Sequence, residues 1–154
     1  MKQVRKSALV PYSVEQMYEL VDGVERYPEF LPWCAAVRVL ARDPHSVKAT
    51  VALAKGNIRQ SFTTHNVMEA GRRIEMRLIE GPFKYLHGVW SFHPVGEAGC
   101  EVVLSMQYEL SSGVLALAFN HAFNHIASTL VDAFCSRARD LYGASRGRGR
   151  RDVG

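Results

Sequence analysis

The C-terminal segment at residues 114–142 carries the clearest structural signal in the chain, and it reads VLALAFNHAFNHIASTLVDAFCSRARDLY. Apolar residues recur there every three or four positions, which predicts a single amphipathic helix about 40 Å long. Gly143 follows directly, where a C-terminal helix cap is expected. The apolar stripe consists of Leu115, Phe119, Ala122, Phe123, Ile126, Leu130, Ala133, Phe134 and Leu141.

The region before this helix alternates with a period of two residues instead. Its segments are rich in Val, Thr, Ile and aromatic residues, and short turns containing Gly, Pro or Asn separate most of them. Such short connections join antiparallel strands, because parallel strands need long crossovers. The predicted strands of this meander are residues 35–42, 46–54, 58–68, 72–80, 86–95 and 100–110.

The N-terminal region supplies a further strand and two short helices. Residues 2–10 alternate like a strand and stop at Pro11. Ser13 and Gln16 have the spacing of a capping box, so a helix is predicted to begin at Ser13. A second helical piece at residues 24–27 is expected to break at Pro28. The sequence therefore predicts an α+β fold in which one long helix covers the apolar face of a seven-stranded antiparallel sheet.

Composition places the chain among ordinary globular domains. It has 154 residues, of which 47% are hydrophobic and 22% are charged, and no apolar run approaches the length of a membrane span. The N-terminus lacks the pattern of a secretory signal. The widely spaced Cys34, Cys100 and Cys135 fit reduced, buried thiols. These features together predict a cytoplasmic protein.

The positive charge is concentrated at the C-terminus. The net charge is +4, and the segment 144–154 has four arginines against one aspartate. This Arg/Gly-rich segment has too few apolar residues to bury itself, so a disordered tail is predicted. Such a tail can contact phosphates of RNA or of anionic lipid, or it can simply keep the protein soluble. DNA is not a predicted partner.

Candidate catalytic groups are weak. His121 and His125 lie one helical turn apart, a spacing that can bind a metal, but no third ligand is evident and surface histidines are the better interpretation. The sequence contains no glycine-rich phosphate loop or nucleophile elbow. No metal site and no required cofactor are predicted, and an enzyme is disfavoured.

The segment Tyr27–Cys34, YPEFLPWC, is unusual because it combines two prolines with three aromatic residues. One interpretation is a seal that packs on one end of the core, and the other is a gate that admits a hydrophobic ligand. Composition alone favours the seal. A second apolar segment, Gly81–Leu86, is predicted to be a loop between two strands that faces the first segment.

These two segments, together with Pro11-Tyr12-Ser13 and Trp90-Ser91-Phe92, resemble the coenzyme Q-binding START-domain family. That family also includes a bacterial ribosome association toxin and polyketide cyclase-like proteins. The resemblance covers about residues 2–142, so a START-type lipid-binding domain is expected at residues 1–143. It implies a helix-grip fold, in which a curved sheet wraps the long helix and encloses a hydrophobic tunnel.

The resemblance also implies a function, and three alternatives stay open. The first is a carrier for a polyprenyl quinone such as ubiquinone, which supports respiration and transiently contacts the inner membrane surface. The second is a toxin that binds the large ribosomal subunit and inhibits translation. The third is a polyketide cyclase or aromatase. Carried over to this sequence, the resemblance places the tunnel mouth at Phe30, Leu31, Pro32 and Trp33, with Phe83 and Leu86 opposite. Strand and helix phase assign the tunnel walls to Trp90, Phe92, Met106, Tyr108, Phe119, Phe123 and Ile126.

Overall fold

A seven-stranded antiparallel sheet and one long helix make up most of the structure, a computed structural model that describes residues 1–111 and 116–143. The elements in chain order are β1 (Lys2–Val10), α1 (Val14–Asp22), a 3-10 helix (Val24–Glu29), β2 (Cys34–Asp43), β3 (Ser46–Lys55), β4 (Ile58–Glu69), β5 (Arg73–Glu80), β6 (Phe83–Val95), β7 (Gly99–Leu110) and α2 (Ala116–Tyr142).

The strands pair in the order β1-β7-β6-β5-β4-β3-β2. Strands β2 to β7 form a continuous meander, and β1 closes one edge by pairing along β7 from Lys2 opposite Tyr108 to Val10 opposite Cys100. Because side chains alternate along a strand, one face of the sheet is apolar and the other faces solvent. The α+β class and the antiparallel seven-stranded sheet are confirmed.

Helix α2 lies against the apolar face of the sheet. Its buried side chains include Phe119, Phe123, Ile126, Val131 and Phe134. Gly143 adopts a positive φ of 89°, and its amide donates to the Arg139 carbonyl, as expected of a helix cap. The prediction that Leu141 belongs to the buried stripe is wrong: this side chain is exposed, since the last helical turn extends beyond the buried part of the stripe. The predicted tail at 144–154 and the predicted first helical residues 114 and 115 lie outside the described residues.

The first helix has the predicted capping box. Ser13 Oγ accepts from the Gln16 amide, and Gln16 Oε1 accepts from the Ser13 amide. The predicted break at Pro28 is wrong, because the 3-10 helix includes Pro28 and continues to Glu29. A short 3-10 segment tolerates Pro28 at the fifth of its six positions, because the fixed φ of proline is close to the helical value and the missing amide removes only one hydrogen bond.

The predicted loop at Gly81–Leu86 is also shorter than expected. Strand β6 begins at Phe83, which pairs with Leu110 of β7, so the turn consists of Gly81 and Pro82. Gly81 supplies the sharp turn with a φ of 152°. Phe83 is therefore held in the sheet and points into the core.

Other features agree with the sequence. The three cysteines are free, with Cys34 and Cys100 buried and Cys135 half-buried. Within residues 1–111 and 116–143, no helix is both long enough and apolar enough to cross a bilayer.

Candidate functional site

A cavity lies between the apolar face of the sheet and the middle of α2. Its helix side is formed by Phe123, Ile126, Ala127 and Leu130, and its floor includes Trp90. The inward-facing side chains of several strands meet these helix residues, because all of them point toward the same segment of α2. The site is therefore a product of the sheet's curvature and not of a local sequence motif.

The cavity volume is about 70 Å³. Sites for drug-sized ligands measure about 300–1,000 Å³, whereas this space holds only a few water molecules. A polyprenyl chain therefore does not fit unless the side chains around it move apart.

Several residues predicted from the sequence do line this cavity. They are Trp33, Leu86, Trp90, Met106, Phe123 and Ile126. Strand and helix phase predicted that Trp90, Met106, Phe123 and Ile126 face the interior, and the family motif placed Trp33 and Leu86 at the tunnel mouth. All six lie at the cavity.

Other residues predicted to line the tunnel are buried but lie away from the cavity. Phe83, Tyr108 and Phe119 surround Phe123 in an aromatic cluster, with ring centroids 4.9, 4.8 and 5.9 Å from that ring. Phe92 instead packs edge-on against Tyr18, with centroids 5.7 Å apart. These side chains share the correct face, but the cavity reaches only part of the length of the strands.

Tyr108 has a specific polar partner. Its hydroxyl donates to Asn124 Oδ1 at 3.3 Å, and burial raises the pKa of the phenol. The hydroxyl is therefore engaged with α2, and Tyr108 does not line the cavity.

The predicted tunnel mouth is packed down on the core. Leu31 is buried with Cys34 and Val51, and Pro32 is exposed on the outside. Only Trp33 of this set contributes to the cavity. The segment thus closes one end of the cavity in this structure.

Phe30 holds the segment in place through aromatic and cationic contacts. Its ring lies 5.3 Å from the Phe134 ring, and the Arg137 guanidinium stacks over it at 4.9 Å from the centroid. Arg137 Nη2 also donates to Glu29 Oε1 at 2.7 Å. A desolvated cation–π contact contributes about 1–2 kcal/mol, so Phe30 acts as a latch between the segment and α2.

The cavity contains two polar side chains that sequence reasoning missed, Thr64 and Asn66 of β4. Asn66 is only 7% exposed, and within the described residues its Oδ1 has no hydrogen-bond partner. An unsatisfied buried acceptor costs about 1–3 kcal/mol. A water molecule or a ligand hydroxyl in the cavity would supply the missing donor.

The other lining residues that were missed include Val24, Tyr27, Phe62 and Met76. One signal was available in β4, since Phe62, Thr64, Asn66 and Met68 alternate on one face of the strand. That phase places the amide of Asn66 inside despite its polarity.

The side chains that line the cavity are mostly apolar. The lining side chains include no carboxylate, imidazole, amine or thiol. Cys34 lies close by in the core, and burial raises the pKa of its thiol to about 11, which keeps the thiol protonated at neutral pH. His121 and His125 are exposed on α2, and no cluster of three metal-ligating side chains occurs among the residues that the structure describes.

Comparison with known proteins assigns the fold to a family. A family model described as polyketide cyclase / dehydrase and lipid transport matches residues 10–135. The chain belongs to this family. The resemblance to START-type domains seen in the sequence is thereby confirmed.

Curated relatives of the chain include proteins with different names. Proteins named ribosome association toxin are 44% identical over 140 residues in Pseudomonas aeruginosa and 47% identical over 143 residues in Vibrio cholerae. These matches cover 91% and 93% of this chain and 97% and 99% of the relatives. A mitochondrial coenzyme Q-binding protein from Dictyostelium discoideum is 29% identical over 143 residues. This match covers 87% of this chain and 67% of that protein.

Solved structures confirm the helix-grip fold. An aromatase/cyclase from Streptomyces superposes with a TM-score of 0.82 at 14% identity, covering 95% of this chain and 98% of that chain. A START superfamily protein from Mycobacterium smegmatis superposes with a TM-score of 0.76 at 21% identity, covering 90% and 98%. At these identities the likeness shows the fold alone.

Proposed function

We propose that this protein associates with the ribosome and inhibits translation by binding the large subunit. The observation that carries this proposal is its identity of 44–47% to ribosome association toxins over nearly the full length of both chains. The match to the coenzyme Q-binding protein is weaker in identity and in coverage. The proposal reverses the order that sequence reasoning favoured, in which the quinone carrier came first.

The geometry supports a binding protein. A cavity of about 70 Å³ whose lining includes no carboxylate, imidazole, amine or thiol gives little room for a substrate and few groups for proton transfer. The large surfaces of the sheet and of α2 are therefore the features available for recognition. The protein acts in the cytoplasm, where ribosomes are found.

The ribosome profile of cells expressing the protein tests this function. Induction is expected to deplete joined ribosomes and to enrich free subunits in a sucrose gradient, with the protein in the large-subunit fractions. Cells that express an unrelated soluble protein at the same level control for the burden of expression. An unchanged profile, with the protein remaining at the top of the gradient, would refute the proposal.

We propose as a second candidate that the cavity, once the side chains around it move apart, holds the head of an apolar ligand such as a quinone. The supporting observation is the unpaired amide oxygen of Asn66 among apolar side chains. An amide both donates and accepts, so it can bind either a quinone carbonyl or a quinol hydroxyl. A polyprenyl tail would require the Phe30 latch to open, in keeping with transient contact at a membrane surface.

Replacing Asn66 by leucine tests this second candidate. The change removes an unsatisfied buried acceptor and keeps the branching of the side chain, and the cavity beside it gives room for the larger methyl groups. The free energy of unfolding is therefore expected to rise by about 1–2 kcal/mol. A short-chain ubiquinone should raise the melting temperature of the wild type, and it should have less than half that effect on Asn66→Leu. Thr64→Val is the matched control for loss of a polar group. A destabilised Asn66→Leu variant, or equal shifts in both proteins, would contradict the role of Asn66.

A further inference from the structure

The solvent-facing side of the sheet carries a continuous row of basic side chains. Lys48 pairs with His65, His65 with Arg77, and Arg77 with His87, across strands β3, β4, β5 and β6. We call these four residues the basic row. The same line continues through Gln107 on β7 to Gln3 on β1.

Alternation along the strands places the basic row on the face opposite α2. Lys48 lies between the buried Val47 and Ala49, and His65 lies between the buried Thr64 and Asn66. Successive residues of a strand point to opposite faces, so the neighbours of the row point into the core and the row points outward. Arg77 is the most open member, with 66% of its side chain exposed.

The carboxylate of Glu75 lies beside the row and forms hydrogen bonds with two of its members. Glu75 Oε2 accepts from His87 Nε2 at 2.7 Å and from Arg77 Nη2 at 3.1 Å. These hydrogen bonds lower the pKa of Glu75, which stays ionised at neutral pH. Lys48 forms no ion pair with any residue in 1–111 or 116–143, so its charge is available to a partner.

The dimensions of the row suit a nucleic acid strand. Four adjacent strands span about 14 Å from the first to the last at the usual strand spacing. A nucleic acid strand carries a phosphate on every nucleotide, so a row of this length can contact successive phosphates of one strand.

An aromatic side chain lies at one end of the row. Tyr85 is 40% exposed, and its ring centroid lies 6.5 Å from that of His87. Exposed aromatic rings stack on unpaired bases and contribute about 1–3 kcal/mol per base. The cations Lys48 and Arg77, in a row with two imidazoles that can form hydrogen bonds to phosphate, lie beside this ring. This combination favours RNA over a lipid surface, which would require apolar side chains that insert into the bilayer.

We infer that the basic row binds the sugar–phosphate backbone of ribosomal RNA, with Tyr85 available to stack on a base. This inference rests on the proposed function, because it names the ribosomal component and the face of the protein that meet. The recognition is electrostatic and independent of base sequence, and it uses a surface separate from the cavity.

Paired charge removal tests the inference on the full-length protein. Lys48→Gln combined with Arg77→Gln removes two cations from the row, and Arg26→Gln combined with Lys55→Gln removes two exposed cations elsewhere. Binding of each protein to isolated large subunits and to ribosomal RNA stripped of protein is measured between about 0.05 and 0.3 M salt. The Debye length shortens over this range, so electrostatic binding should weaken. Thermal melting checks that all variants are folded.

The row variant is expected to bind both targets roughly tenfold more weakly near 0.15 M salt. The slope of log binding constant against log salt concentration should be smaller in magnitude by about 1.4 than for the wild type. The control variant should bind like the wild type. The inference is overturned if the row variant binds like the wild type, or if the wild type binds subunits but not the stripped RNA, since the contact would then be with protein. If the wild type binds stripped RNA through the row but ignores subunits, the inference stands and the proposed function fails. If it binds neither target, both fail.

Discussion

Replacing Phe134 by alanine is expected to lower the free energy of unfolding by about 3–5 kcal/mol. This ring is 1% exposed, and it lies 5.2 Å from Trp90, 5.3 Å from Phe30 and 5.4 Å from Tyr27 between ring centroids. It joins the floor of the cavity to the segment that closes the cavity. Its removal leaves a void at the junction of the sheet, the helix and the closing segment.

Denaturant unfolding followed by tryptophan fluorescence measures this effect. Leu117→Ala is the matched control on the same helix, because Leu117 is 72% exposed and should change stability by no more than about 0.5 kcal/mol. If the Phe134→Ala variant loses less than about 1 kcal/mol, below the range for buried aromatic truncations, the ring does not have the packing described here.

Replacing Gly81 by alanine is expected to destabilise the protein by about 2–4 kcal/mol, from backbone strain combined with overpacking. Gly81 has a φ of 152°, and an added Cβ would lie 2.6 Å from Phe62 Cβ and 3.2 Å from Phe62 Cα. The obstructing atoms belong to or adjoin the backbone of β4, so they cannot rotate away. The β5–β6 turn would have to shift.

Gly71→Ala separates the two causes of this effect. Gly71 also has a positive φ, of 72°, but an added Cβ there would meet nothing within 4 Å. Only the conformational cost of about 1–2 kcal/mol then applies. Equal unfolding energies for the Gly71→Ala and Gly81→Ala variants would show that the close approach to Phe62 is not present in solution.

Most of the fold could be predicted from the sequence because its elements are long and strongly periodic. The stripe along α2 and the alternation in β5 and β7 each specify an element without tertiary information. The errors occurred where tertiary context decides. Pro28 was tolerated because its helix is of the 3-10 type, Phe83 joined a strand through pairing with Leu110, and Leu141 lay beyond the buried part of the stripe.

The site could be predicted only in part. Phase along a strand indicates which residues face inward, and this correctly placed Trp90 and Met106 at the cavity. Phase does not indicate how far along the strand a cavity extends, so Tyr108 and Phe92 were included although they pack elsewhere. Asn66 was missed because polar residues in strands ordinarily face solvent.

The ranking of functions could not come from the fold. One helix-grip scaffold hosts proteins named as toxins, coenzyme Q-binding proteins and cyclases, so function depends on surfaces and cavities specific to each chain. In this chain the small cavity and the basic row favour macromolecular recognition over the carriage of a large lipid.

Equilibrium sedimentation of the purified protein with isolated ribosomal subunits tests the central claim most directly. The account predicts saturable binding to the large subunit, approaching one molecule per subunit, and a concentration-dependent loss of joined ribosomes when small subunits are added. A protein that stays unbound at concentrations well above those of the subunits, while the joined ribosomes form normally, would contradict it.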